Sequence, residues 1–194
     1  MPKMQELREL SAQIDQEYLE MTDTFSRYQA STKMNCPPGC GRCCYNPDIE
    51  ATPLEMLPMA LSLFDQGLLT HQLLERIEKE EVCFSYLASG DDPKQGQCSH
   101  YLKRPSVCRM FGVAGFRDKK HETQLSTCSL LKSNYPDFYQ EALRLKEKAP
   151  LIGKWSTKVN TLEPALGLRY YKLNHAFKMI AQKILILCAY EEQG

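Results

Sequence analysis

Four of the chain's nine cysteines fall within nine residues, Cys36 to Cys44, in the stretch CPPGCGRCC. The spacing is C-x-x-x-C-x-x-C-C, with Pro37, Pro38, Gly39 and Gly41 between the sulfurs. The prolines fix φ near −65° and remove two backbone donors, while the glycines are free to take positive φ, so the loop can fold back and turn several sulfurs inward. Converging thiolates repel one another unless a cation lies between them. A soft metal is the natural occupant, as tetrahedral zinc or an iron–sulfur cluster, both bound through deprotonated cysteine. In an extended segment neighbouring side chains point to opposite faces, so Cys43 and Cys44 are expected to serve different centres, or one of them to pack. The competing readings of the stretch are a disulfide-rich loop and a set of buried free thiols.

Charge and compartment favour the metal. The chain has 194 residues, enough for a single domain with a real core, and 24 basic against 24 acidic side chains. No global field then draws nucleic acid or an anionic membrane, and the run RDKKH at 117–121 reads as a solvated loop. The opening MPKMQELREL has no secretory signature, and the longest apolar run, Ile184 to Tyr190, is too short to span a bilayer. The expectation is a cytoplasmic protein without membrane or nucleic-acid partners. In that reducing compartment clustered cysteines hold metal or react, and an odd cysteine count argues against a disulfide framework.

Periodicity gives a mainly α fold. Leu7, Leu10, Ile14, Tyr18, Met21, Phe25 and Tyr28 recur at helical steps and predict an amphipathic helix from about Lys3 to Met34. Asn46-Pro47-Asp48 reads as a turn. Thr52, Pro53 and Glu55 form a helix start, predicting a helix from Pro53 to Asp65 that Pro58 kinks or divides and Gly67 closes. A second helix is expected over Leu68–Glu81. Two short extended pieces, Val82–Leu87 and Cys98–Tyr101, flank a polar loop and suggest a small hairpin. Pro105 can start a short helix that presents Cys108 and Arg109, and another helix is expected over Pro136–Glu147. A long helix from Pro164 to Glu192 carries the stripe Leu166, Tyr170, Leu173, Phe177, Ile180, Ile184 and Leu187. Its spacing suits antiparallel packing on the first helix. The expected organisation is a cysteine-rich core at 35–128, irregular apart from the hairpin, between flanking helices at 1–34 and 164–192.

Cys188 sits beside the last stripe and reads as packing. That leaves Cys36, Cys40, Cys43, Cys44, Cys83, Cys98, Cys108 and Cys128 as candidate ligands. Eight thiolates suffice for two four-cysteine centres, or for one with a spare set. Zinc with four thiolates carries a net charge of about −2, so nearby cations would stabilise it. Arg42, Arg104 and Arg109 each lie close in sequence to a candidate ligand, and Arg104 and Arg109 are taken as the residues that contact the bound group. Among the histidines only His100, two residues after Cys98, is placed to ligate. There is no H-x-x-x-H pair, nucleophile elbow, phosphate-cradling glycine loop or dinucleotide fingerprint.

CPPGCGRCC at 36–44, CFSYL from Cys83, CSHY from Cys98 and RPSVCR at 104–109 together resemble the YkgJ-type cysteine-cluster proteins, which are described by a zinc- or iron-chelating domain. The resemblance covers about residues 35 to 110 and leaves both long helices outside. It implies a small cysteine-ligated metal domain of mostly bacterial proteins, with Cys36, Cys40, Cys43, Cys44, Cys83, Cys98 and Cys108 at the metal and Cys128 beyond the strongest match. A portion of the flagellin lysine N-methylases is similar, and there an iron–sulfur centre and S-adenosylmethionine are implicated. The expected function is a protein holding zinc or an iron–sulfur cluster through clustered thiolates. An alternative is an iron–sulfur enzyme, a protein-modifying transferase or redox protein that uses the cluster as its working centre. A third reading makes the metal a geometric support for a protein partner or homodimer joined through the amphipathic helices.

Overall fold

The structure, a computed structural model, describes residues 3–191. In chain order, α1 (Met4–Thr32) leads through the cysteine loop to β1 (Glu50–Ala51), α2 (Pro53–Asp65) and α3 (His71–Lys79). Then come β2 (Tyr86–Ala88), β3 (Gly96–Cys98), α4 (Ser106–Met110), β4 (Val113–Arg117) and β5 (Thr123–Thr127). The chain finishes with α5 (Ser129–Asn134), α6 (Pro136–Arg144), α7 (Ile152–Asn160), α8 (Pro164–Gly167), β6 (Tyr171–Lys172) and α9 (Leu173–Glu191). The fold is mainly α. Its strands form antiparallel pairs, β1 with β6, β2 with β3 and β4 with β5.

Helix α1 forms where its stripe requires. Leu7, Ile14, Tyr18, Met21, Phe25 and Tyr28 are buried, and Leu10 packs half-buried beside them. The Glu6 carboxylate accepts from the Lys3 backbone amide at the start, and Lys33 ends the helix at φ 57°. Helix α2 starts on a reciprocal cap: Glu55 N donates to Thr52 Oγ1 at 3.2 Å, and Thr52 N donates to Glu55 Oε2 at 2.9 Å. Gly67 closes it with φ 69°. Every residue from Pro53 to Leu61 is buried. Pro58 does not divide the helix, which runs on to Asp65; the ring removes one amide, and packing on all sides holds the turn.

A helix apolar all round belongs at the centre. Helix α2 is the principal neighbour of both α1 and α9, which corrects the expected pairing of the two long helices. Each long helix meets α2 along more of its length than it meets the other. Helices α1 and α9 still meet at their ends, where Met4 N donates to Glu191 Oε1 at 2.9 Å.

The expected helix from Pro164 is also corrected. It breaks into α8, β6 and α9 because Tyr171 and Lys172 pair with Ala51 and Glu50. At Gly167 the backbone of Asn160 comes so close that a Cβ would lie 2.2 Å from its carbonyl oxygen. Of the predicted stripe, Leu173, Phe177, Ile180, Ile184 and Leu187 are buried, whereas Tyr170 is exposed. The predicted end at Glu192 lies outside the described residues. Helix α3 is shorter than expected, beginning only after Thr70, whose Oγ1 accepts from Leu73 N at 3.1 Å.

The hairpin β2–β3 forms as expected. The pair β4–β5 and the helices α5 and α7 were not foreseen. RDKKH takes in the last residue of β4 and most of the turn to β5, with Lys119, Lys120 and His121 exposed and His121 at φ 63°. A smaller core of Tyr28, Met34, Val113, Leu131, Ala142 and Ala149 lies under this hairpin.

Candidate metal centre

The cysteine loop is shaped by its own residues and by the β2–β3 hairpin. Cys40 N donates to Pro37 O at 3.2 Å across a turn with Gly39 at φ 72°, as a Pro-Gly centre favours. Gly41 needs no positive φ. It is glycine for lack of space, since a Cβ there would lie 2.3 Å from the Tyr86 ring. The loop docks through Gly41 N to Lys94 O (3.0 Å) and Gly96 N to Gly39 O (2.9 Å).

Beyond Gly41 the chain coils, with Tyr45 N bonded to Gly41 O and Asn46 N to Cys43 O. Cys43 and Cys44 therefore do not alternate as they would in an extended segment. Both line one enclosed cavity of about 20 Å³ together with Cys83, Cys98 and Cys108. The extended segment assumed from the sequence is replaced by a coil, which sets both residues against the same space.

Four separate stretches supply these five sulfurs. Cys43 and Cys44 come from the loop, and Cys83 from the irregular chain between α3 and β2, its amide bonded to Cys44 O at 3.2 Å. Cys98 ends β3. Cys108 lies in α4, whose first turn Pro105 starts with its carbonyl accepting from Cys108 N at 3.0 Å. Met56 and Met59 of α2, with Phe111 and Leu173, form the apolar side of the cavity.

Cys36, Cys40 and Cys128 form an outer group. Cys36 lies within electrostatic range of Cys40, Cys43 and Cys128. Cys128 leans on the smaller core. All eight candidates thus gather in one region, five inside and three outside, and none is in a disulfide. Cys188 stands apart on α9, beside Met4 and Arg8.

Burial opposes ionisation at most of these thiols. It pushes Cys36 up to about 12 and Cys83 up to about 11, and it raises Cys98 and Cys108 as well. Cys43 moves the other way. The hydrogen bond from the Cys44 thiol stabilises its thiolate first, with the Arg104 guanidinium adding to it, while Cys44 as donor is held in the protonated form. Among the described residues no group of three or more Cys, His, Asp or Glu is placed so that it could hold a metal ion as it stands. A closed shell needs the other thiols to ionise and draw in.

The arginines divide. Arg104 lines the cavity, its guanidinium stacked 3.5 Å from the Tyr101 ring centroid and its Nε donating to Tyr101 O at 3.0 Å. Arg109 points elsewhere. Its Nε donates to Arg104 O at 2.7 Å, its Nη1 to Thr22 Oγ1 at 3.0 Å and its Nη2 to Leu102 O, and it stacks 4.3 Å from the Tyr18 ring. Arg109 thus anchors the backbone of Arg104, whose guanidinium is held by Tyr101. Arg42 is exposed. His100 is turned to the hydroxyls of Ser85 (3.2 Å) and Ser99 (2.9 Å) and does not line the cavity.

Cys83 has a second face. It also lines an open cleft of about 560 Å³ bordered by Glu81, Lys172, Asn174, His175 and Lys178. Sequence reasoning missed Asn174 and the two methionines. A methionine inside a buried helix carries no signal of what it faces, and the asparagine lies far along the chain.

Compared with known proteins, residues 35–129 match a family model, CxxCxxCC, described as "Putative zinc- or iron-chelating domain". No curated protein and no solved structure matches the chain.

Proposed function

We propose, on the match of residues 35–129 to the CxxCxxCC family model, that the protein binds a single metal ion, zinc fitting best, in the cavity formed by Cys43, Cys44, Cys83, Cys98 and Cys108. One observation carries the reading. Five thiols from four separate stretches of chain meet around one enclosed space without forming a disulfide. An all-sulfur donor set suits zinc or iron, and disfavours calcium and magnesium. At about 20 Å³ the cavity admits about one water-sized sphere. That suits one ion better than a cluster of several irons and sulfides.

Zinc takes four ligands in structural sites, so one of the five thiols is in excess. The bound ion would hold its ligands deprotonated and supply Lewis acidity at the centre. The protein's part is to bring the stretches together, to exclude water with Met56, Met59 and Phe111, and to offset the charge of the thiolates with Arg104.

The test is elemental analysis with a visible spectrum, on protein purified without oxygen and without a metal affinity column. About one zinc per chain and no colour is the expected result for a single four-thiolate site. Iron with acid-labile sulfide and a broad visible band would replace the single ion with a cluster and restore the iron–sulfur enzyme reading. Neither metal, in protein with its thiols reduced, would refute metal binding.

A further inference from the structure

The segment that carries Cys83 has no secondary structure of its own to hold it. Residues 80–85 lie between the end of α3 and the start of β2, and an unpaired backbone needs partners from elsewhere. Asn174, in the first turn of α9, supplies three. Its Nδ2 donates to Glu80 O at 3.0 Å and to Val82 O at 2.9 Å, and its Oδ1 accepts from Phe84 N at 3.0 Å. These bonds bracket Cys83 on both sides. One helical turn further on, Phe177 packs its ring 4.3 Å from that of Phe84, so both contacts come from one face of α9.

Cys83 stands in the wall between the enclosed cavity and the open cleft, together with Ile49 and Leu173. It is the cysteine that lines both spaces. A rotation of the 80–84 backbone would carry its sulfur from the inner group into the cleft.

We infer that Asn174 is a positioning residue that fixes Cys83 as a ligand of the inner centre. The inference rests on the proposed metal site. The side chain does not touch the metal; it acts by holding the main chain on both sides of the ligand. An amide suits this place because it donates twice and accepts once in a single plane. An aspartate of the same shape would keep the bond from Phe84 N and set a carboxylate against two carbonyls.

The experiment loads the reduced full-length protein with cobalt(II) and reads the thiolate-to-metal charge-transfer band, which grows with each sulfur bound. Asn174→Asp, Cys83→Ser and the double variant are compared with the wild type, with Lys178→Ala as a control from the same wall of the cleft. Expected are the loss of about one thiolate's share of a four-thiolate band in each single variant, no further loss in the double, and a wild-type band in the control. A wild-type band in Asn174→Asp, or losses that add in the double, overturns the inference. If Asn174→Asp does not fold, Asn174→Ser carries the same comparison.

A wild type without any thiolate band refutes the metal site itself. The positioning role is then read from the alkylation rate of Cys83 relative to Cys36 in metal-free protein. The rate is expected to rise several-fold in the variant, and an unchanged rate overturns it.

Discussion

Gly41 has the Tyr86 ring where a side chain would stand. Gly41→Ala drives a Cβ into that ring, and the loop must lift from β2–β3 or Tyr86 must leave its bond to Pro93 O. A stability loss of about 1–3 kcal/mol is expected, together with weaker metal binding because Cys43 and Cys44 move with the loop; urea unfolding and metal titration check both. Arg104→Gln keeps polarity and removes the charge that favours the Cys43 thiolate. Zinc affinity is expected to fall about tenfold or more, with Arg42→Gln as a control that leaves it unchanged. At this scale the sequence was legible in identity and less so in cause. The cysteines, Arg104 and Gly41 all stand out in the primary structure. That Gly41 is small for the sake of Tyr86, and that Cys43 and Cys44 share a cavity, depends on a coil at 41–46 that residue types do not announce.

Helix α2 brings a buried carboxyl to the centre of the fold. Burial holds the Glu55 carboxyl above its ordinary range, while the hydrogen bond from the Thr52 amide acts the other way. The folded state therefore prefers the protonated acid. The stability that comes from it is present in full below the ordinary carboxylate range and is lost as pH rises through the folded value. Glu55→Gln keeps an oxygen for the Thr52 amide and has no charge. Its urea midpoint is expected to match the wild type at acid pH and to exceed it increasingly towards neutrality; a wild-type advantage at neutral pH would mean that the hydrogen bonds outweigh burial.

Elements set by neighbouring residues were readable: the cap at Thr52–Glu55, the stop at Gly67, the stripe of α1, and Pro105 before Cys108. The break between α8 and α9 was not, because the partner that pulls Tyr171 and Lys172 into a strand is Glu50–Ala51, far back in the chain. Strands β4 and β5 carry Gly115, Arg117 and Ser126 in place of a clean apolar alternation, so their pairing has no strong local signature.

Across the whole molecule, the centre depends on chain outside the matched stretch. Tyr18 of α1 donates to Glu55 O at 2.9 Å and lies under Arg109, which in turn holds the Arg104 backbone. Helix α9 supplies Asn174 and Phe177. A fragment limited to residues 35–129 is therefore expected to bind zinc more weakly than the full chain and to show little helical circular dichroism without metal. In the full chain a bound ion ties together stretches that begin at Cys43 and end at Cys108, and its binding energy adds to folding, on the order of 10 kcal/mol for zinc held by thiolates. Chelation is expected to lower the melting temperature sharply and to loosen the loop and α4 before the α2–α9 core. Equal melting with and without chelator, in protein verified to lose its metal, would disconnect the centre from stability.

The bond between Phe84 and Asn174 spans 90 residues. A ribosome making this protein releases all of Cys36 to Cys128 well before it releases Asn174. During that interval the nascent thiols are in the open, without the helix that keeps Cys83 turned inward, and any ion they catch is held by whichever sulfurs are nearest. Correct loading of the proposed site thus waits for α9, and a cell that makes this protein has reason to keep early thiols unmetallated until that helix has docked.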